Sequence, residues 1–198
     1  MSPAPLTLGI LGSGRGSNFL AIGDAIAAGT LDARVALVAG DRADAPILAE
    51  ARRRGYPTWV CPPSAFKTKL EPEIETALVE QLRAAGVNLV VLAGYMRVVK
   101  TPLLTAFPGR IINIHPSLLP AFPGLKAWEQ ALASGVPETG CTVHFVNAVI
   151  DGGAIIAQAK VPVLPGDTAA TLHARVQVEE HRLLPAVLRK IAKKEIDL

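Results

Sequence analysis

Between Asn88 and Gly94 the chain reads "NLVVLAG", a short run that stays apolar where a half-wet strand would alternate. A strand with one solvated face alternates polar and apolar residues. A run apolar at successive positions is covered on both faces, as in parallel sheets flanked by helices. That single stretch calls for an α/β layering, and the rest of the chain supplies the parts. "LTLGIL" (6–11), "ARVALVAG" (33–40), the short "PTWVC" (57–61) and "RIINIH" (110–115) read as further strands. Helical patterns separate them: from about Ser17 to Ala28, "APILAEARRRG" (45–55) closed by Gly55, and "EIETALVEQLRAAG" after Pro72, with acids early and Gly86 past its end. "TPLLTAF" (101–107) reads as a short helix with Thr101 as cap and Pro102 at its first position. Beyond His115 the pattern changes. "PSLLPAFPG" (116–124) has three prolines in nine residues and is an irregular loop. A helix near 126–134 follows. The strands "GCTVHFV" (140–146) and "AIIAQAKVPV" (154–163) then flank the turn "IDGG" (150–153), which makes them an antiparallel pair. A long helix closes the chain, with Asp167 as cap and a kink before Pro185. The expected fold is one α/β domain over 1–198. Its sheet is mostly parallel and doubly wound, Rossmann-like in the N-terminal half, with antiparallel C-terminal strands and a long C-terminal helix.

Ligands of such sheets bind at the carboxyl ends of the strands, so the ends of the first, fourth and fifth strands are the first places to look. The turn "GSGRGSN" follows the first strand. Its Gly12, Gly14 and Gly16 give G-x-G-x-G, which fits neither the dinucleotide spacing G-x-G-x-x-G nor a Walker loop, where Lys would follow the last glycine. Two readings remain: backbone N–H groups and a helix N-terminus that hold an anion, or a tight turn capped by Ser17 or Asn18. Asp41 and Asp44, after the second strand, leave a ribose-binding acid open.

"INIHPSLLP" (112–120) is sharper. Asn113 and His115 are two apart on a strand and share a face, while Ile112 and Ile114 point into packing. Pro116 holds His115 extended and ends the strand. An amide donor beside an imidazole can stabilise an oxyanion and move a proton; the alternative is a structural histidine on a backbone carbonyl. Asp151 precedes two glycines that permit close approach and unusual dihedrals, and the segment reads first as a turn. His144, among apolar neighbours, is equally core or lining. His173 and His181 lie eight apart on the last helix, with Gln177 and Glu180 nearby. The four histidines lack His-x-x-x-His spacing, which argues against a catalytic zinc, and no G-x-S-x-G elbow is present.

Composition narrows the partners. A net charge of +3 with scattered Arg and Lys is no nucleic-acid stripe. "RRR" (52–54) and "KK" (193–194) fall where helices end, where the dipole favours cations. The longest apolar stretch, "VNLVVLAGYM" (87–96), is half of the ~20 residues a membrane span needs. No signal peptide is legible. Cys61 and Cys141 lack metal spacing, and the cytoplasm is the expected compartment.

Together, "GSGRGSN", "VVLAGYMR", "NIHPSLLPAFPG", "TGCTVHFV", "DGGAIIAQAKVPV" and "RVQVEEH" resemble, in order and over nearly the whole chain, the folate-dependent phosphoribosylglycinamide formyltransferases of purine synthesis. The resemblance implies transfer of a formyl group from 10-formyltetrahydrofolate to the amine of glycinamide ribonucleotide, without a metal. Asn113 and protonated His115 would stabilise the negative oxygen of a tetrahedral intermediate. Asp151 would hold His115 and help take protons through water. Gly16, Ser17 and Asn18 match the family's segment for the ribonucleotide phosphate and sugar, and Gln177 and Glu180 match contacts to the same substrate. Met96, Arg97, Val98 and Val99 match the folate-lining segment, with Asn113 also facing the folate, and Lys69 falls where many members carry an Arg near it. Lys126 and Trp128 depart from the His-x-His of well-known members. Small-molecule substrates are the implied partners, with neither nucleic acid nor membrane, and the chain would be a monomer or homodimer. Two sister activities share part of the pattern. The hydrolase of 10-formyltetrahydrofolate typically carries an extra N-terminal domain and a second His where this chain has Pro116. The initiator methionyl-tRNA formyltransferase carries a basic C-terminal domain. A non-catalytic nucleotide-binding module would explain the glycine turn but not Asn113, His115 and Asp151.

Overall fold

The structure, a computed structural model, describes residues 5–198. Seven strands form one sheet in the order β3-β2-β1-β4-β5-β6-β7: β1 (Leu6–Gly12), β2 (Ala33–Gly40), β3 (Thr58–Val60), β4 (Leu89–Leu92), β5 (Ile111–His115), β6 (Glu138–Phe145) and β7 (Ile155–Pro162). The first five pair in parallel and the last two antiparallel, as the sequence leads one to expect. All four residues of β4 are buried, in keeping with its unbroken apolarity. β6 starts at Glu138, two residues before the apolar run that announces it.

Among the described residues six helices cover the sheet: α1 (Ser17–Ala27), α2 (Pro46–Arg53), α3 (Pro72–Ala84), α4 (Thr101–Ala106), α5 (Ala127–Ser134) and α6 (Ala169–Ala192). Two cores result. One joins α1, α2 and α6 to a sheet face through Phe19, Ile22, Ile47, Leu48, Leu172 and Leu184. The other joins α3 and α4 to the opposite face through Leu78, Leu82 and Leu103. Each such side chain, fully withdrawn from water, contributes about 1.5–3 kcal/mol. Ile112 and Ile114 of β5 sit in the first core, which leaves the other face of the strand to Asn113 and His115.

Three helix starts differ from expectation. Asp167 does not cap α6: its carboxylate accepts from the Leu164 N–H (2.7 Å) and from Arg175 (2.7 and 2.8 Å). Thr168 takes the cap position instead, in a reciprocal capping box with Thr171. Thr101 lies inside α4, and the backbone N–H of Lys100 at the cap donates to the buried Glu75 carboxylate (2.8 Å). Neither Ser17 nor Asn18 caps α1; left-handed Gly16 stands there with no side-chain cap. Pro185 lies inside one unbroken helix. The basic clusters do end helices: Arg53 and Arg54 close α2 on Glu50, and Lys193 closes α6.

Candidate active site

The strand order reverses direction between β1 and β4, and at that seam a cavity of about 730 Å³ opens over the carboxyl ends of β1, β4 and β5. Its floor is the β5–β6 ladder. Asn113 lies directly opposite His144 in the antiparallel register, so their side chains share a face. The Asn113 Nδ2 is 3.1 Å from His144 Nε2, and His144 Nδ1 is 2.8 Å from its neighbour's carbonyl at Phe145. Only an N–H can face a carbonyl, so the proton sits on Nδ1, and Nε2 accepts from the Asn113 amide. Asn113 thereby commits one of its two N–H groups and keeps the other.

His115 is buried with acceptors on both sides. Its Nε2–H donates to the Phe122 carbonyl (2.9 Å), and its Nδ1 lies 3.4 Å from Asp151 Oδ2. A ring carrying protons on both nitrogens has an acceptor for each. Asp151 also accepts from the Gly124 N–H (2.8 Å), and its second oxygen stands 3.6 Å from His144 Nε2. Burial pushes the Asp151 carboxyl up, but the Gly124 hydrogen bond and the His115 imidazole beside it outweigh that effect, holding the group below its ordinary value. The unusual dihedral of "IDGG" belongs to Asp151 itself, at φ 51°, and not to the glycines. Gly153 serves close approach: a Cβ there would collide with the Phe145 carbonyl oxygen.

The polar end of the cavity is built by α1 and α6. Gly16 is left-handed (φ 76°), and a Cβ on it would lie 2.6 Å from Ile47. Its conformation turns the uncapped first-turn N–H groups of α1 toward the cavity that Gly16, Ser17 and Asn18 line. Asn18 donates to Glu180 (2.9 Å), while the Asn18 Oδ1 is buried without a partner. Burial raises Glu180 to about 7, against the lowering effect of Asn18. Gln177 lines the same wall.

The apolar end is built by Met96, Val98 and Val99 after β4, facing Val146, Val149 and Ile150 before Asp151. Met96 is 53% exposed and Ile150 59%, so large apolar side chains stand uncovered around the mouth. Arg97 turns its guanidinium to Asp41 (2.7 Å) and to the Phe66 carbonyl, which fixes the segment from behind and engages the acid left open for a ribose. Ser13 ties the two ends together: its N–H donates to Gly94, and its hydroxyl accepts from the Met96 N–H (2.9 Å).

Of the residues singled out in the sequence, the structure gathers Gly16, Ser17, Asn18, Met96, Arg97, Val98, Val99, Asn113, His115, Asp151, Gln177 and Glu180 around one cavity. Lys69 is not among them. Its ammonium sits 4.2 Å over the Phe66 ring, beside a separate hollow with Glu75 and Lys100. His144 belongs to the cluster, and its place opposite Asn113 follows once the strands "INIH" and "TVHF" are paired. Among the described residues, no group of three or more His, Cys, Asp or Glu side chains could hold a metal ion.

A formyl transferase family model matches residues 7–188. Phosphoribosylglycinamide formyltransferase of Haemophilus influenzae is 40% identical over 182 residues, which are 92% of this chain and 85% of that protein. The human trifunctional purine biosynthetic protein adenosine-3 is 41% identical over 96% of this chain, which spans 18% of that protein's length. The crystal structure of glycinamide ribonucleotide transformylase 1 from Symbiobacterium toebii superposes with a TM-score of 0.92 at 51% identity, covering 98% of this chain and 90% of that one. With the family model matching most of the chain and relatives of 40% identity and more covered over most of their length, this chain belongs to the formyl transferase family.

Proposed function

We propose that the chain transfers the formyl group of 10-formyltetrahydrofolate to the amine of N1-(5-phospho-D-ribosyl)glycinamide, a step of de novo purine biosynthesis. The observation that carries this reading is the position of Asn113, His115 and Asp151 between an apolar wall and a polar, anion-accepting end. The phosphate monoester docks on the uncapped turn at Gly16–Asn18, and Glu180 and Gln177 take the sugar. The uncovered apolar side chains at Met96, Val98 and Ile150 suit the flat ring system of the folate, which supplies the formyl carbon as electrophile. As the amine attacks, Asn113 gives its free N–H to the oxygen that becomes negative, and His115, paired with Asp151, places positive charge beside it. Asp151 receives the proton lost by the amine through a water; as the oxyanion collapses, the bond between the formyl carbon and the folate N10 breaks and that proton passes to N10, releasing tetrahydrofolate and the formylated ribonucleotide. Both cysteines are free and buried, and burial pushes each thiol up to about 12, which keeps them out of the chemistry. The partners are then two small molecules. No helix among the described residues is long and apolar enough to cross a membrane; we assign the cytoplasm, and a monomer or homodimer.

The test follows folate release from 10-formyltetrahydrofolate with and without the ribonucleotide. Turnover is expected only when the ribonucleotide is present. Equal release without it would identify a hydrolase instead. His115→Ala and Asp151→Asn should each lower kcat by roughly 10²-fold or more while remaining folded, Asn being tolerated in the left-handed conformation of position 151. Near-normal turnover of His115→Ala would remove the proposed site.

A further inference from the structure

Two aromatic rings at the edge of the cavity have no role in the chemistry above. Trp128, at the second position of α5, lies flat against His173 of α6, with ring centroids 3.7 Å apart and planes inclined by 4°. Both line the cavity. His173 stands one turn before Gln177 and two before Glu180, so the stack lands on the helical stripe that carries the polar end. Burial, and the charge of Arg15 facing it, lower the His173 ring below its ordinary value, so at neutral pH it stacks as a neutral aromatic.

The other end of the stack leads to the catalytic pair. α5 continues directly from the loop 116–126, and that loop supplies the Phe122 carbonyl to His115 and the Gly124 N–H to Asp151. The loop is a strained piece of backbone, with Phe122 and Lys126 both left-handed at φ 54° and 56°. Gln130 of α5 donates to the Pro123 and Leu125 carbonyls (3.2 and 2.9 Å), so loop and helix form one body. That body meets α6 at Trp128 on His173.

We infer that Trp128 and His173 are positioning residues, whose stack fixes the 116–126 loop so that its Phe122 and Gly124 backbone groups hold His115 and Asp151 in place. The inference rests on the proposed formyl transfer only for its kinetic readout. Its first test needs no substrate: the backbone amide resonance of Gly124, hydrogen-bonded to Asp151, followed by NMR in the full chain. Trp128→Ala and His173→Ala should shift that amide toward its unbonded position, whereas Trp128→Phe and His173→Phe, which keep a flat ring, should leave it unchanged. In turnover, the two alanine variants should lose about tenfold in kcat with KM for the formyl donor changed less than about twofold, and the phenylalanine variants should recover it. An unmoved Gly124 amide in both alanine variants overturns the inference. So does a His173→Phe enzyme as impaired as His173→Ala, or one that raises only KM for the ribonucleotide, since His173 would then be a ligand. A wild-type chain inactive on both substrates would sink the proposed reaction and leave the Gly124 result standing.

Discussion

Glu180 shows how far a single residue's chemistry is set by its surroundings. It is nearly fully buried on α6, with one hydrogen bond from Asn18 and no cation beside it, and burial raises it to about 7. A raised value means that the fold favours the protonated form. The corresponding stability is fully present below the ordinary value of 4.5 and is lost as pH rises through about 7. Denaturant unfolding of the free protein should therefore show a loss of stability between about pH 4.5 and 7 that Glu180→Gln lacks; identical pH profiles would show that position 180 does not titrate there. The hydroxyls of a ribose would donate to the ionised form, so ribonucleotide binding near pH 7 should release a proton, visible as a buffer-dependent binding enthalpy. The sequence singles Glu180 out only by resemblance; its burial without a cation is not legible there. His144 is a similar case: its alternation with apolar neighbours is that of any core position. Only the register that sets it opposite Asn113 makes it part of the site.

At the scale of elements, the glycine turn divides into positions that differ sharply. Gly16 is left-handed and packed against Ile47, whereas nothing lies within 4 Å of a Cβ built on Gly14. Gly16→Ala should lower stability by roughly 1–2 kcal/mol and raise KM for the ribonucleotide while leaving the folate KM alone. Gly14→Ala should change neither, and equal effects at both positions would mean that the turn's shape is not what binds. The strands and helices themselves were readable, because apolar runs and 3.6-residue periodicity report burial, which the tertiary fold does not override here. Caps were less so. Asp167 is a good capping type next to another, Thr168, and the choice fell to Thr168 because Arg175, a full two turns on, claims the aspartate. Likewise the N–H of Lys100, at the start of α4, is taken by Glu75, 25 residues earlier in the chain, which no local pattern announces. Lys69, matched to the folate-binding segment only by resemblance, lies outside the cavity with its ammonium over the ring of Phe66 three residues away.

For the whole molecule, the cavity is a product of topology. Its walls come from the loops after β1, β4 and β5, from the β6–β7 connection and from α6, so no contiguous half of the chain contains the site. Ligands at the two ends should each stabilise the native state as a whole. At 100 times its Kd, each should add about 2.7 kcal/mol to unfolding, and thermal denaturation with ribose 5-phosphate, with a folate, and with both checks the sum. A ligand that binds yet leaves Tm unmoved would show that its end of the cavity survives unfolding. The Ser13 link gives this architecture a further property. The Ala93 N–H donates to the Leu11 carbonyl and the Ser13 N–H to the Gly94 carbonyl, and the Ser13 hydroxyl takes over as acceptor for the Met96 N–H, so the bonding between neighbouring strands carries on past their ends. The gap between the glycine turn and the wall after β4 is thus set by strand spacing. Side chains lining either end can be exchanged without altering that gap, as long as position 13 keeps a hydroxyl. The separation of the cavity's two ends is inherited from the strand ladder and the Ser13 bridge.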